Sequence, residues 1–235
     1  LLIGMKKLLK TIGLAIAFGP LFTQAQNALF VPNQGQEDGP YSAQLALSGG
    51  DVYFEESAVT YHFYDPDFAH KVHEASHKEN PPESIPLSGV VYTQKWNNAN
   101  VSDGLVSESY PHYYNYFRGN DSTNWRSGVH PGGRLTYPNL YDGISVAYFQ
   151  NGPDLKHNYY LDAGADYQQI EWTYSGITPT IREDLTLVFK TPLGEVSEFI
   201  PRAYQIINGR EIDIDIRYVQ RKPGVFGFYL QNWDS

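Results

Sequence analysis

"EIDIDIRY", residues 211–218, alternates apolar and charged side chains without a break. A period of two puts Ile212, Ile214, Ile216 and Tyr218 on one face and Glu211, Asp213, Asp215 and Arg217 on the other. This is the pattern of a strand with one face against a core and the other in water. Neighbouring stretches read the same way. "DLTLVFK" (184–190) alternates with Leu185, Leu187 and Phe189 on one side, and "IEWTY" (170–174) with Ile170, Trp172 and Tyr174. Turn chemistry falls between such runs: "QNGPD" (150–154) inside 144–161, "TPLGEV" near Gly194 and "IINGRE" near Gly209. Residues 51–64 read as a further hairpin reversing at Glu55, Glu56 and Ser57. No long 3.6-residue apolar period occurs after residue 25. The pattern predicts an all-β, antiparallel, two-sheet sandwich-like domain with long loops. Polar residues 65–86 and glycine-rich residues 118–133 are the two irregular excursions.

The N-terminus has a different character. Met5 opens a basic segment containing Lys6, Lys7 and Lys10, an apolar run spans Ile12 to Phe22, and Thr23-Gln24-Ala25 follows. That is the layout of a cleaved secretory signal peptide over residues 1–25, with residues 1–4 as spurious upstream sequence. The run is shorter than the ~20 residues a membrane span requires, so the chain is not expected to span a bilayer. Residues 26–235 then form one β-rich domain, which the strand-like ending "GFYLQNWDS" suggests is cut from a longer protein.

Without Lys6, Lys7 and Lys10 the 17 basic residues fall to 14 against 26 acidic ones, a net charge of −12. Such a surface repels phosphate backbones, so nucleic acid is excluded as a partner. The chain has no cysteine, which excludes disulfides and thiolate metal sites. Nineteen tyrosines and twelve phenylalanines against one methionine favour strands.

Three groups of residues invite a chemical reading. His73-Glu74-Ala75-Ser76-His77 is a literal H-E-x-x-H, which on a helix would offer His73 and His77 to zinc and Glu74 as general base. Its context argues against a zinc hydrolase: no third ligand follows at the usual spacing, and Pro81-Pro82 would end any helix. A solvated histidine-rich loop is the preferred reading. Asp213 and Asp215 share a face, but the outer face of a strand has to be polar, and Asp65 and Asp67 suit a turn.

The third group is "PHYYNYFRGNDSTNW", residues 111–125. A strand over Tyr113–Phe117 would send Tyr113, Asn115 and Phe117 one way and Tyr114 and Tyr116 the other. Rings on both faces point to packing between layers, so these aromatics are expected mostly in the core, with Tyr110 or His112 at the rim. The alternative is a glycan-binding surface formed by Tyr113, Tyr114, Tyr116 and Trp125, which would need exposed, coplanar rings beside polar groups.

This region also carries a family resemblance. "YYNYFRGNDSTNW" is followed by Tyr137-x-Asn139-x-Tyr141-x-Gly143-Ile144, by a strand over Leu155 to Tyr159, by Gly164-Ala165-Asp166 and by a segment from Leu193 to Gln205. With "FVPNQGQ" at 30–36, the series resembles an uncharacterised N-terminal β-rich domain of secreted Bacteroidota proteins. Ala163 and Asp142 depart from prolines usual in that pattern. The resemblance implies a domain of unknown function at the start of a long exported protein, followed by β-propeller-type repeats, immunoglobulin-like or PKD modules and a type IX secretion sorting domain. No catalytic residue carries over from it. Asp121-Ser122-Thr123 also resembles an O-glycosylation site of such bacteria, at Ser122.

The sequence thus leads to a non-enzymatic, cofactor-free module of a secreted or cell-surface protein with a structural or adhesive role. Its expected partners are downstream modules of the same polypeptide and an extracellular glycan or protein.

Overall fold

A computed structural model describes residues 2–9, 29–47, 49–77, 84–85, 88–151 and 154–233. Residues 12–25, the apolar run and cleavage segment of the expected signal peptide, lie outside the described residues. Strand β1 is Leu2–Leu9, β2 Phe30–Pro32, β3 Tyr41–Leu47, β4 Gly50–Glu55 and β5 Ala58–Tyr64. Helix α1, Phe68–Ser76, separates β5 from β6, Gly89–Trp96, and β7 is Leu105–Ser109. Then come β8 Tyr114–Tyr116, β9 Arg126–Val129, β10 Gly132–Tyr141, β11 Ile144–Asn151 and β12 Asp154–Leu161. The last six strands are β13 Glu171–Ser175, β14 Thr180–Ile181, β15 Leu187–Thr191, β16 Gly194–Ile207, β17 Arg210–Lys222 and β18 Val225–Gln231.

The chain is all-β and antiparallel, as the alternation predicts. One large sheet runs β1-β12-β11-β10-β2-β3-β4-β5-β6-β13-β18-β17-β16-β15-β14, with β7 added on β10. A small second sheet pairs β8 with β9. The large sheet folds over itself into facing layers. β4 and β11 are four places apart along it, which in a flat sheet would be about 19 Å. Yet Phe54 on β4 and Tyr148 on β11 have ring centroids only 5.0 Å apart. Trp96 on β6 likewise meets Tyr137 on β10 at 5.0 Å, and its indole N–H donates to Tyr159 Oη on β12 at 3.2 Å. The aromatic residues fill this gap between layers, where their large apolar area contributes most to stability.

Alternation decides what enters the core. Val59, Tyr61 and Phe63 of β5 are buried, as are Leu155, His157, Tyr159 and Leu161 of β12. The hairpins fall where turn chemistry places them. Gln150 registers with Leu155, Thr191 with Gly194, and Ile207 with Arg210. Asn208 (φ 51°) and Gly209 (φ 75°) both adopt left-handed backbone, as a tight two-residue hairpin turn requires.

Four expectations need correction. Along β17, Ile214 and Tyr218 are buried but Ile212 is 46% exposed, because its end of the β16–β17 hairpin extends past the covering layer. Leu185 is not in a strand. It has φ 64° in a turn fixed by Thr186 N–H donating to Asp184 Oδ1 at 3.0 Å, and β15 starts only at Leu187. Residues 118–133, read as a loop, contain β9, the start of β10 and a 3-10 turn at Ser122–Asn124. Residues 65–86, read as an excursion, hold the nine-residue helix α1.

Candidate functional site

The ribbon of β8 and β9 is where the structure departs most from the sequence reading. β8 pairs with β9 alone: Tyr114 registers with Val129 and Tyr116 with Arg126, with a bulge between. Asn115 Oδ1 bridges them by accepting from Gly128 N–H at 3.0 Å. The connecting 3-10 turn is capped by Asp121, whose Oδ1 accepts from Thr123 N at 3.0 Å and Thr123 Oγ1 at 2.7 Å. Those two bonds favour the ionised form and hold the Asp121 carboxyl below its ordinary value.

Two arginines dock the ribbon on the loop after β2. Arg118 Nη1 donates to Glu37 Oε2 at 2.6 Å, and Arg126 Nε donates to the carbonyl of Gln34 at 2.6 Å. Arg126 Nη1 also reaches the carbonyls of Thr123 (2.7 Å) and Trp125 (2.9 Å). Gly35 makes room for this guanidinium, since a Cβ there would lie 2.9 Å from Arg126 Nη2.

On this ribbon the rings face solvent. Tyr113 is 56% exposed, Phe117 61% and Trp125 40%; Tyr114 is exposed too, and Tyr116 is half-buried. The expectation that these aromatics are mostly core is therefore overturned. Rings on both faces of a strand imply burial only if a layer covers each face, and the three-residue β8 has a single four-residue neighbour, β9, instead. Tyr110 and His112 are exposed, as expected for the rim. The rings are not coplanar. Phe117 meets Trp125 edge-on at 5.3 Å and 76°, Tyr114 meets Tyr116 at 6.4 Å and 57°, and Tyr113 leans on His130 at 5.7 Å. Ser122 is exposed at the start of the 3-10 turn.

The H-E-x-x-H segment does lie on a helix, with its last histidine at the C-cap. His73 and His77 share a face, ring centroids 4.5 Å apart, while Glu74 Oε1 lies 3.2 Å from His70 Nε2. Ala75 is buried and Val72 exposed. Among the described residues no group of three or more His, Cys, Asp or Glu is placed to hold a metal, so His73, Glu74 and His77 are not brought to a third ligand. Pro81 and Pro82 lie outside the described residues. Asp213 accepts from Arg202 Nε at 2.9 Å on the outer face of β17, and Asp65 Oδ1 accepts from Asp67 N at 2.9 Å in a turn. Both match the structural reading of those carboxylates.

Sequence reasoning missed Glu198. It sits on β16 with no exposed surface. Tyr218 Oη is 3.2 Å from its Oε1 and 3.1 Å from the carbonyl of Phe199. Burial pushes the hydroxyls of Tyr61, Tyr92, Tyr148, Tyr159 and Tyr218 well above the ordinary tyrosine value, and the charge of Glu198 adds to the rise in each. In β1, Lys7 registers opposite Glu198. A signal was present in "EVSEF" (195–199): if Val196 faces the core, so must Glu198.

These features define an antiparallel β-domain with a covered aromatic interior and a separate, ring-bearing ribbon. The chain belongs to a family of domains of unknown function, DUF7948, whose model matches residues 30–235. No curated protein matches the chain, and no solved structure does. Among the described residues no helix is long and apolar enough to cross a membrane.

Proposed function

We propose that this domain is a non-catalytic, adhesive module of an exported bacterial protein, and that the β8–β9 ribbon is its contact surface, with a glycan as ligand. The observation that carries the reading is the exposure of Tyr113, Tyr114, Phe117 and Trp125 on a ribbon pinned by Arg118 and Arg126. Exposed rings offer apolar faces to sugar C–H groups, while Asn115, Asn120 and Asp121 stand beside them to hydrogen-bond hydroxyls. Because the rings are tilted, the surface suits a flexible single glycan chain over a flat crystalline polysaccharide. Export rests on residues 1–25 acting as a cleaved signal peptide, and places the domain outside the cell or on its surface, joined to downstream modules of its own polypeptide. Ser122, at the ribbon's tip, is then open to O-glycosylation.

The test is a panel of soluble oligosaccharides and insoluble polysaccharides presented to the exported protein, followed by tryptophan fluorescence titration of any hit. Binding to a soluble chain that weakens at least about tenfold in Trp125→Ala, equivalent to ~1.4 kcal/mol, supports the reading. Binding unaffected by Trp125→Ala and Tyr113→Ala, or no glycan bound at all, overturns it.

A further inference from the structure

β1 fills a slot between two walls that are otherwise sheet edges. Its residues Leu2 to Lys6 register antiparallel with Tyr160 to Lys156 of β12, and Leu2 to Leu9 register antiparallel with Tyr204 to Val196 of β16. Being antiparallel to both, β1 fixes β12 and β16 parallel to each other, two strand spacings or about 9.6 Å apart. Both walls lie within residues 30–235, the stretch that matches the family, whereas β1 lies outside it. β1 also lies within the segment that export would remove. A domain that lost it would carry two facing edges with unpaired backbone groups, the condition under which a sheet accepts a strand from elsewhere.

The interior behind the slot specifies what such a strand must carry. His157, Tyr159 and Leu161 of β12 and Val196, Glu198 and Ala203 of β16 are buried. One polar group among them decides the chemistry: Glu198 is a carboxylate without surface, set among tyrosines, and a buried carboxylate is strongly destabilising unless a cation or donors offset its desolvation. The occupant seen in the structure brings Lys7 to the register position opposite Glu198, Met5 opposite His157 and Ile3 opposite Tyr159. In sequence, the register positions Ile3, Met5 and Lys7 thus run apolar, apolar, basic.

We propose that the β12–β16 slot is a strand-acceptor site which, after removal of residues 1–25, takes an extended segment of another polypeptide, apolar at alternate positions and basic at the position opposite Glu198. The inference rests on the export reading, and the tests of the two are separable. Mass spectrometry of the exported protein comes first: retention of Met5 to Leu9 refutes removal of the segment, and with it the vacant slot. If the chain instead starts near Gln26, hydrogen exchange is measured with and without a synthetic peptide of residues 2–9, LIGMKKLL. The expected result is saturable binding, a raised melting temperature, and new amide protection confined to 154–161 and 194–207. Absence of that protection overturns the proposal, as would full protection of both strands before peptide is added, which would mean that the walls have closed on each other. A peptide carrying Lys7→Glu is expected to bind at least tenfold more weakly; equal binding removes Glu198 from the recognition. Because the peptide rather than the protein is altered, this arm does not depend on a variant domain folding. In a Glu198→Gln domain that does fold, the preference for lysine should shrink, and its persistence counts against the charge pairing.

Discussion

The ribbon and the interior are built from the same residues and use them oppositely. In the interior, Tyr61 stacks on Tyr92 at 5.0 Å, Trp172 leans on Phe228 at 5.0 Å, and the strands carrying them have neighbours on both sides and a layer across the gap. On the ribbon, Tyr114 sits on β8, Tyr113 and Phe117 flank it and Trp125 directly precedes β9, and these two short strands pair only with each other. Ring content is equal in kind, so composition does not decide burial. The number of strands that can cover a face decides it, and that number is set by long-range pairing.

The largest expected effect that separates the two regions is alkaline. The folded-state values of Tyr61, Tyr92, Tyr148, Tyr159 and Tyr218 are raised above the unfolded value of about 10. The folded state therefore holds more protons above pH 10. The stabilisation is whole below the unfolded value and falls as pH climbs towards the folded ones, by up to about 1.4 kcal/mol per pH unit for each tyrosine. Several such groups exceed the marginal stability of a domain within a unit or two. Melting measured from pH 8 to 12 should collapse above pH 10, together with an ultraviolet tyrosinate signal from the interior tyrosines that appears only on unfolding. Tyrosinate forming within a folded interior would erase the contrast.

Next in size is a pair of tryptophan truncations. Trp172 is fully buried, so Trp172→Ala should cost about 3–5 kcal/mol in urea unfolding, while Trp125→Ala on the ribbon should stay within about 0.5 kcal/mol. Similar costs for both would mean that the ribbon is packed in solution.

Local chemistry was legible in the sequence and tertiary coverage was not. The turns at Gln150–Asp154, Gly194 and Gly209 declared themselves because glycine, asparagine and aspartate act on their own backbone. The alternation of β17 was legible at Ile214 and Tyr218, but nothing local marks that Ile212 lies beyond the covering layer. Helix α1 stayed hidden because it is short and lacks an apolar stripe, burying Ala75 while leaving Val72 and its histidines outside. Glu198 was passed over because an isolated acid in a strand reads as outward-facing, and its register with Lys7 spans almost the whole chain. The ribbon is hard to read for a related reason: ring density on both faces implies two covering layers, which β8 does not have.

A smaller effect tests how the ribbon is held. Arg126→Ala removes the bonds to Gln34, Thr123 and Trp125 and should cost about 1–2 kcal/mol, as for hydrogen bonds made by a charged group. The loss should show in urea unfolding and as faster exchange of amides in β8 and β9, with the interior unchanged. Glycan affinity should fall along with ribbon order even though Arg126 is only half-exposed, since ordered rings bind at lower entropic cost than mobile ones. Unchanged exchange in Arg126→Ala would shift the anchoring to Arg118 and Glu37.

The smallest effect belongs to Asp121, which is exposed and acts on a single turn. Its folded-state value is lowered by the bonds from Thr123, so its contribution is present above the unfolded carboxylate value near 3.8 and is lost as pH falls through the lower folded one. Between pH 5 and 2.5 the Thr123 amide should therefore lose protection and the Trp125 emission should shift, while the melting of the whole domain need not follow this local titration. In Asp121→Asn the side chain keeps an acceptor for the Thr123 amide but loses the charge, so the acid-linked change at Thr123 should vanish while the turn persists. In Asp121→Ala both should go. If Asp121→Asn kept the acid transition, Asp121 would not be the carboxylate that governs the tip.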